Sequence, residues 1–221
     1  MILYDIHTHR TGINASGDYI EKSIMNTSPA EYVGLDKNDK GRWVSCGIHP
    51  WDSSNSDIEI NLLENIIKED NVLAIGEVGL DKLKGPDMEI QYQTFRSQIE
   101  LAIQVDKPLI IHCVKAWEEL IALHKEYKTD IPWIIHGYRG NVEQTKQLSR
   151  LGFKFSIGEK YNKEALHLIP QNSIFCETDM SELSICQIYE YLCPYIAHSF
   201  EQFVGLIAEN VLKTFNFLTK L

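Results

Sequence analysis

The sequence predicts an α/β fold: a single compact (β/α)8 TIM barrel over residues 1–221, with shortened early crossovers. Three observations support this prediction. Short apolar runs recur along the chain, helical patterns separate the later runs, and several runs end in His, Glu or Asp. Apolar runs without polar alternation, spaced by helices, are typical of a parallel sheet whose outer face is covered.

We interpret the short apolar runs as strands. Their number is eight, which is the strand number of a (β/α)8 barrel. The predicted strands are Ile2–Ile6, Tyr19–Met25, Trp43–Ile48, Val72–Ile75, Leu109–Ile111, Trp133–Ile135, Phe153–Ile157 and Ser173–Cys176.

Amphipathic patterns between the later strands predict helices. Ser56 and Asp57 are cap candidates for the first helix. In the last helix Phe203, Ile207 and Val211 recur every four residues, so we expect it to pack as core. The predicted helices are Ile58–Ile67, Gln91–Val105, Ala116–Tyr127, Val142–Leu151, Lys163–Ile169, Glu182–Tyr191 and Glu201–Phe217. Two earlier segments, Thr11–Asp18 and Thr27–Gly41, are too short and too rich in Gly, Asn and Asp for ordinary crossover helices, so we expect truncated crossings there.

The composition is that of one globular domain. The chain has 221 residues, of which 44% are hydrophobic and 24% charged, enough for one well-buried core and tight for two. With 21 Lys and Arg against 31 Asp and Glu, the net charge is −10, which argues against a broad nucleic-acid-binding surface. Any nucleic-acid contact must therefore be local.

The cysteines and the N-terminal residues favour a cytoplasmic protein. The five cysteines are odd in number, lack CxxC spacing and mostly lie in apolar runs, as expected of reduced, buried thiols. The first residues do not have the pattern of a secretion signal, and no stretch approaches 18 apolar residues, so we expect no membrane insertion. The sequence indicates no particular oligomeric state.

Candidate metal ligands begin at the end of the first predicted strand. His7 and His9 are two residues apart there, so their side chains point to the same side. Two imidazoles that face one point suit a divalent metal ion. Alone, this pair is a weak signal, because surface histidine pairs also occur by chance.

Four further strand ends carry potential ligands. Glu77 ends the fourth strand between glycines, His112 ends the fifth, His136 the sixth and Asp179 the eighth. Because the C-terminal strand ends of a barrel converge on one mouth, these groups should surround a shared centre.

Each of these residues also has an ordinary structural interpretation. His112 or His136, considered singly, could be a core histidine bonded to backbone. Glu77 could cap the following loop, and Asp179 could cap the helix that begins near Glu182. The repetition of such residues at five of the eight strand ends favours the shared site.

Other polar residues receive weaker assignments. His49 precedes a proline in a rigid turn at the rim and is a candidate substrate contact. Glu177 is expected to orient a ligand by hydrogen bonding rather than to bind metal. His124, His167 and His198 lie away from strand ends and receive no function.

The order of these motifs resembles that of the TatD family of metal-dependent hydrolases, which are amidohydrolase-like barrels. The matching motifs span nearly the whole chain. They are Asp5-x-His7-x-His9, Gly47-Ile-His-Pro50, Ile75-Gly-Glu-x-Gly-Leu-Asp81, the helix with Gln91, Phe95 and Gln98 that leads to Pro108 and His112, then His136, Glu177-Thr-Asp179 and Asn210.

The resemblance implies a centre with two divalent metal ions, which would be Zn, Mg, Mn or Ni. In the family pattern, His7, His9 and Asp179 would hold one ion, His112 and His136 the second, and Glu77 would bridge them. The substrate pocket departs from the pattern, because Val114 stands where the family has an arginine that binds phosphate. Lys115, next in the chain, and Arg139, which is new at its position, are candidate substrate-binding cations.

These observations predict a metal-dependent hydrolase of phosphodiester bonds, similar to a DNase, that acts on small phosphodiesters or nucleic-acid ends. Glu77 and Asp179 are the predicted catalytic residues, with Asp179 as the base for a water activated by two metal ions. Two divalent ions outweigh the charge of these carboxylates, which suits an anionic substrate. The alternatives are an amide, ester or lactone hydrolase, which Val114 makes more credible, and a metal-binding homologue without catalysis.

Overall fold

The structure, a computed structural model, describes residues 1–10, 15–16, 19–36, 42–197 and 199–215. The chain divides into two compact units, one formed by Met1–Met25 with Ile134–Leu221 and the other by Asn26–Trp133. The single domain over residues 1–221 stays a prediction. Within the described ranges, no helix is both long enough and apolar enough to cross a membrane.

Strands and helices alternate along most of the described chain. The strands are β1 (Ile2–Thr8), β2 (Ala15–Ser16), β3 (Tyr19–Thr27), β4 (Val44–Cys46), β5 (Val72–Asp81), β6 (Leu109–Val114), β7 (Trp133–Ile135), β8 (Lys154–Ile157) and β9 (Ile174–Cys176). The α-helices are α1 (Pro29–Gly34), α2 (Ser56–Ile66), α3 (Met88–Val105), α4 (Trp117–Tyr127), α5 (Val142–Arg150), α6 (Lys163–Leu166), α7 (Ile185–Ile196) and α8 (Phe200–Thr214). Two 3-10 helices, Pro50–Asn55 and Gln171–Ser173, precede α2 and β9.

In the unit Asn26–Trp133, strands β4, β5 and β6 pair in parallel in that order. All ten residues of β5 are buried, as expected for a strand of a parallel sheet. The amphipathic helix α3 buries Phe95, whose ring centroid lies 5.8 Å from that of Trp133. The core of this unit therefore lies between the sheet and its helices.

In the other unit, β1 pairs in parallel with β3, and β7, β8 and β9 pair in parallel in that order. Thr8 of β1 forms a parallel bridge with Asp179, which follows β9. The short strand β2 pairs antiparallel with β3. Parallel strands that alternate with helices confirm the predicted α/β class.

Helices α7 and α8 pack against this sheet. The buried Tyr189 hydroxyl of α7 accepts from the Tyr4 amide at 3.1 Å and donates to the Tyr4 carbonyl at 3.0 Å, which fixes α7 to β1. Phe203, Ile207 and Val211 of α8 are all buried. The prediction that the last helix packs as core is confirmed.

The position of Glu77 needs a correction. The predicted strand stops at Ile75, whereas β5 continues to Asp81, so Glu77 lies inside the strand and not at its end. The extension forms because residues 78–81 stay buried and pair with β6. The pairing register shifts between Ile75 and Val78, on either side of Glu77.

Helix boundaries differ from the predictions by a few residues. Helix α7 begins at Ile185 and not at Glu182, because Ser184 and Gln187 form a capping box there. Ser56, a predicted cap, is the first residue of α2, because a 3-10 helix leads directly into that helix. Helix α6 is shorter than predicted.

In the described parts of the early crossings the regular elements are short, in agreement with the predicted truncation. Helix α1 has six residues and begins at a capping box formed by Ser28 and Glu31. In the described part of the segment between β1 and β3, the only regular element is the two-residue strand β2. The predicted crossings at residues 11–14, 17–18 and 37–41 lie outside the described residues.

Candidate metal centre

The first candidate ligand group consists of His7, His9 and Asp179. His7 is buried within β1, His9 follows that strand, and Asp179 follows β9. Oδ1 of Asp179 lies 3.7 Å from Nε2 of His7 and 3.5 Å from Nε2 of His9. Ligand atoms about 2 Å from one tetrahedral ion are roughly 3.3 Å apart, so the spacing fits a divalent metal ion. The Asp179 side chain is 39% exposed, which leaves the group open to a substrate.

Buried hydrogen bonds hold Asp179 beside the two histidines. The Asp179 amide donates to the His7 carbonyl at 2.9 Å. Asp5 accepts from the Thr178 amide at 3.1 Å and from its hydroxyl at 2.6 Å. Burial raises the pKa of Asp5 to about 8, although the hydrogen bonds from Thr178 act in the opposite direction. Strand β1 therefore carries His7, leads directly to His9 and, through Asp5, fixes the segment that carries the acid.

His136 follows β7 in the same unit, and its ring centroid lies 4.5 Å from that of His7. The buried Glu177 has its Oε1 3.5 Å from Nδ1 of His136, and the same oxygen accepts from the Gly137 amide at 2.6 Å. Burial by itself raises the pKa of Glu177, but the hydrogen bond and charge of His136 outweigh it, so the pKa is lowered. A carboxylate that contacts the second ring nitrogen of a ligand histidine fixes the ring. These contacts support the predicted orienting function of Glu177.

The second candidate group lies in the other unit and consists of Glu77, His112 and His49. Oε1 of Glu77 lies 2.8 Å from Nδ1 of His112 and 3.2 Å from Nε2 of His49. Glycine at position 79 is required for this arrangement, because any side chain at Gly79 would collide with the His112 carbonyl. The flanking glycines Gly76 and Gly79 thus allow β5 and β6 to approach closely.

Asp81 contacts the other side of the His112 ring. Its Oδ2 lies 3.2 Å from Nε2 of His112 and accepts from Nε1 of Trp51 at 2.7 Å. Its Oδ1 accepts from the Leu83 amide at 2.8 Å. Burial raises the pKa of Asp81, but the hydrogen bonds from Trp51, Leu83 and His112 outweigh it and lower the pKa. An ionised Asp81 favours a proton on Nε2 of His112 and leaves a lone pair on Nδ1.

The two imidazoles contact Glu77 in different ways. Nδ1 of His49 accepts from the Trp51 amide at 3.2 Å, so the proton of the neutral ring is on Nε2, which donates to Glu77. His112 presents its Nδ1 lone pair to the same carboxylate. Two acceptors 2.8 Å apart need a proton or a cation between them. The pair Glu77 and His112 therefore fits a metal ion, whereas His49 acts as a hydrogen-bond donor.

Two buried glutamines of α3 hold the loops that carry these side chains. Gln98 accepts from the Ile48 amide at 2.6 Å and donates to the Ile48 carbonyl at 3.1 Å, directly before His49. Gln91 accepts from the Asp81 amide at 2.8 Å and donates to the Asp81 carbonyl at 3.0 Å. Helix α3 thus positions both His49 and Asp81.

The predicted substrate-binding cations lie after strands. Lys115 is exposed directly after β6 and has a left-handed backbone with φ 57°. Arg139 is exposed in the segment after His136 and lines a cavity with residues 159–163. Their contacts with substrate stay predictions.

Among the described residues, His124 and His167 lie outside both candidate ligand groups. His124 packs against Trp133, with ring centroids 5.1 Å apart. Nδ1 of the exposed His167 lies 3.1 Å from the Tyr195 carbonyl. His198 lies outside the described residues.

The structure also bears on the ordinary interpretations of the two acids. Glu77 lies within β5 and not in the following loop, and Ser184, not Asp179, caps α7. Sequence reasoning missed Asp81 and Trp51 as site residues. One sequence signal could have indicated Asp81. The run around Val78 and Leu80 continues past Glu77 to Asp81, which predicts a longer β5 that pairs with the strand carrying His112.

Parallel α/β units with histidine and carboxylate groups spaced for divalent ions define the class of metal-binding α/β enzymes. A family model described as TatD related DNase matches residues 24–216. The chain therefore belongs to the TatD family of metal-dependent hydrolases. Two metal ions, their identity and the bridging position of Glu77 stay predictions.

Relatives and solved structures agree with this assignment. The chain is 26% identical to YabD of Bacillus subtilis, an uncharacterized metal-dependent hydrolase, over 97% of this chain and 99% of that protein. It is 30% identical to an uncharacterized metal-dependent hydrolase of Buchnera aphidicola, over 83% of each chain. The crystal structure of YjjV, a TatD homologue of Escherichia coli, superposes with a TM-score of 0.83 at 22% identity, covering 97% of this chain and 98% of that one. The predicted (β/α)8 barrel fold is confirmed.

Proposed function

We propose that this protein hydrolyses phosphodiester bonds in the manner of a DNase, acting on small phosphodiesters or nucleic-acid ends. The observation that carries the proposal is the convergence of His7 and His9 on one oxygen of a half-exposed Asp179. Asp179 is the single carboxylate of that group, so a divalent ion there would leave a net positive charge for an anionic substrate.

The chain's own residues supply acid–base chemistry and orientation. Bound divalent ions would lower the pKa of a water molecule and polarise the phosphoryl oxygen. Asp179 would take the proton of that water, because its carboxylate lies beside the two histidines of the first ligand group and is also exposed to solvent. Glu77 and His112 would hold an ion in the second group, with Asp81 behind His112. Lys115 and Arg139 would contact the substrate.

The test combines metal addition with one substitution. Purified protein with Mg, Mn or Zn should hydrolyse bis-p-nitrophenyl phosphate and single-stranded DNA, and His112→Ala should abolish that activity. His167→Ala is the matched control, since His167 is an exposed histidine outside both ligand groups. Metal-dependent turnover that His112→Ala leaves unchanged would reject the proposed site.

A carbonyl substrate is the second candidate. It is favoured by Val114, which stands where the family has a phosphate-binding arginine. Hydrolysis of p-nitrophenyl acetate or of a lactone, together with intact bis-p-nitrophenyl phosphate, would select this candidate. Bound metal without turnover of either substrate class would instead select a metal-binding homologue that lacks catalysis.

Elemental analysis tests the number of ions. Two divalent ions per chain are expected in the unsubstituted protein, by the resemblance to the family. If Glu77 bridges them, Glu77→Ala should lower the occupancy of both. A loss confined to one ion would contradict bridging and leave Glu77 as a ligand of the second group alone.

A further inference from the structure

A cationic cavity of about 530 Å³ opens in the unit formed by Met1–Met25 and Ile134–Leu221. Its volume falls in the range of small-ligand sites. Three cations against one acid give its lining a formal charge of +2, although the whole chain carries −10. Such a local concentration of positive charge attracts anions. The lining residues are Arg139, Glu159, Lys160, Tyr161, Asn162 and Lys163.

Two chain segments link the cavity to predicted metal ligands. Arg139 follows β7 and residues 159–163 follow β8, and these strands are parallel neighbours, so both loops leave the same end of the sheet. Arg139 is three residues after His136. Ser181, two residues after Asp179, donates to Glu159 at 2.7 Å. The segments that carry two predicted ligands therefore also form or support the cavity wall.

The cationic side chains are available for an anion. Within the described ranges, neither Arg139 nor Lys160 forms an ion pair with a carboxylate, and the one acid of the lining, Glu159, accepts from Ser181. The Asn162 side-chain oxygen accepts from the Glu164 amide at 3.1 Å, which leaves its amide nitrogen as a donor. Guanidinium, ammonium and amide donors together match the oxygens of a phosphate group.

We propose that this cavity binds a phosphate of the substrate strand next to the phosphodiester that is cleaved. The proposal rests on the phosphodiesterase function and names the part of the chain that selects a nucleic-acid strand. A nucleic-acid strand carries one negative charge on every nucleotide. A strand whose reacting phosphodiester is held at the first ligand group would therefore offer its neighbouring phosphate to Arg139 and Lys160.

The test measures binding without turnover. The double variant Arg139→Ala with Lys160→Ala is compared with Lys68→Ala with Lys125→Ala, which removes the same charge at two exposed lysines outside the cavity. Binding of a fluorescent single-stranded DNA of about ten nucleotides is followed by anisotropy in EDTA at several salt concentrations. We expect about tenfold weaker binding for the cavity variant, and a salt-dependence slope that falls by about 0.7 for each phosphate that the variant no longer neutralises. The lysine control should bind like the unsubstituted protein.

Equal weakening in both double variants, or unchanged binding in the cavity variant, would overturn the proposal. The proposed function is tested separately by metal-dependent hydrolysis. Selective loss of DNA binding in the cavity variant, with no hydrolysis under any metal, would support the cavity as a strand-binding site while rejecting the phosphodiesterase. Metal-dependent hydrolysis by the protein, together with unchanged DNA binding in the cavity variant, would support the phosphodiesterase and reject the cavity as a strand-binding site.

Discussion

Oδ2 of Asp81 lies 3.2 Å from Nε2 of His112, on the side of the imidazole opposite to Glu77. Trp51 and the Leu83 amide donate to the same carboxylate, so two hydrogen bonds hold it in place besides its contact with the histidine. This arrangement, a carboxylate behind a candidate ligand histidine, fixes both the ring and the position of its proton.

Asp81→Asn should weaken metal binding, because a neutral amide no longer favours the Nε2 proton of His112. We expect a loss of about 10- to 100-fold in affinity for the ion of the second group, measured by competition with a chromophoric chelator. The 15N shifts of the His112 ring should report a change of tautomer population. Asp87→Asn is the control, since Asp87 makes no side-chain cap bond. Equal affinities in the two variants would contradict an orienting function for Asp81.

Glu177→Ala should destabilise the protein even without metal. The substitution leaves the partly buried Gly137 amide without the acceptor now 2.6 Å away and removes the carboxylate beside His136. The expected cost is about 2–3 kcal/mol in the free energy of unfolding, measured by urea denaturation in EDTA. The exposed Glu143, which pairs with Lys146 at 2.9 Å, provides the control. Glu143→Ala should change the free energy of unfolding by less than about 0.5 kcal/mol. A similar change in both variants would contradict the stabilising contacts of Glu177 with Gly137 and His136.

Cys46 and Cys176 should resist thiol reagents in the folded protein. Burial raises the pKa of Cys46 to about 12, against a hydrogen bond from Thr27, and burial raises that of Cys176 well above its usual value. Only the thiolate reacts, and at pH 8 about one Cys46 in 10⁴ is ionised. Labelling with maleimide at pH 8, followed by peptide mass spectrometry, should modify neither residue until urea unfolds the chain. Rapid labelling of Cys46 in the native protein would show that its surroundings open.

The sequence by itself determined the parts of this protein that follow local chemistry. Buried parallel strands are largely apolar, so most of the eight parallel strands were visible as apolar runs, and amphipathic helices such as α3 and α8 were visible as periodic ones. His7 and His9 were found because alternate residues of a strand share a face. The ordered motifs were sufficient to indicate the family.

Only the tertiary structure decided which atoms meet. Asp81 is 31 residues from His112 in sequence, and Thr178 is 173 residues from Asp5, so no local pattern records either pair. The cavity with Arg139 and Lys160 likewise joins loops from two strands. Local sequence sets the conformation and polarity of each segment, whereas contacts between distant segments depend on how β strands pair and helices pack, and these are properties of the whole folded chain.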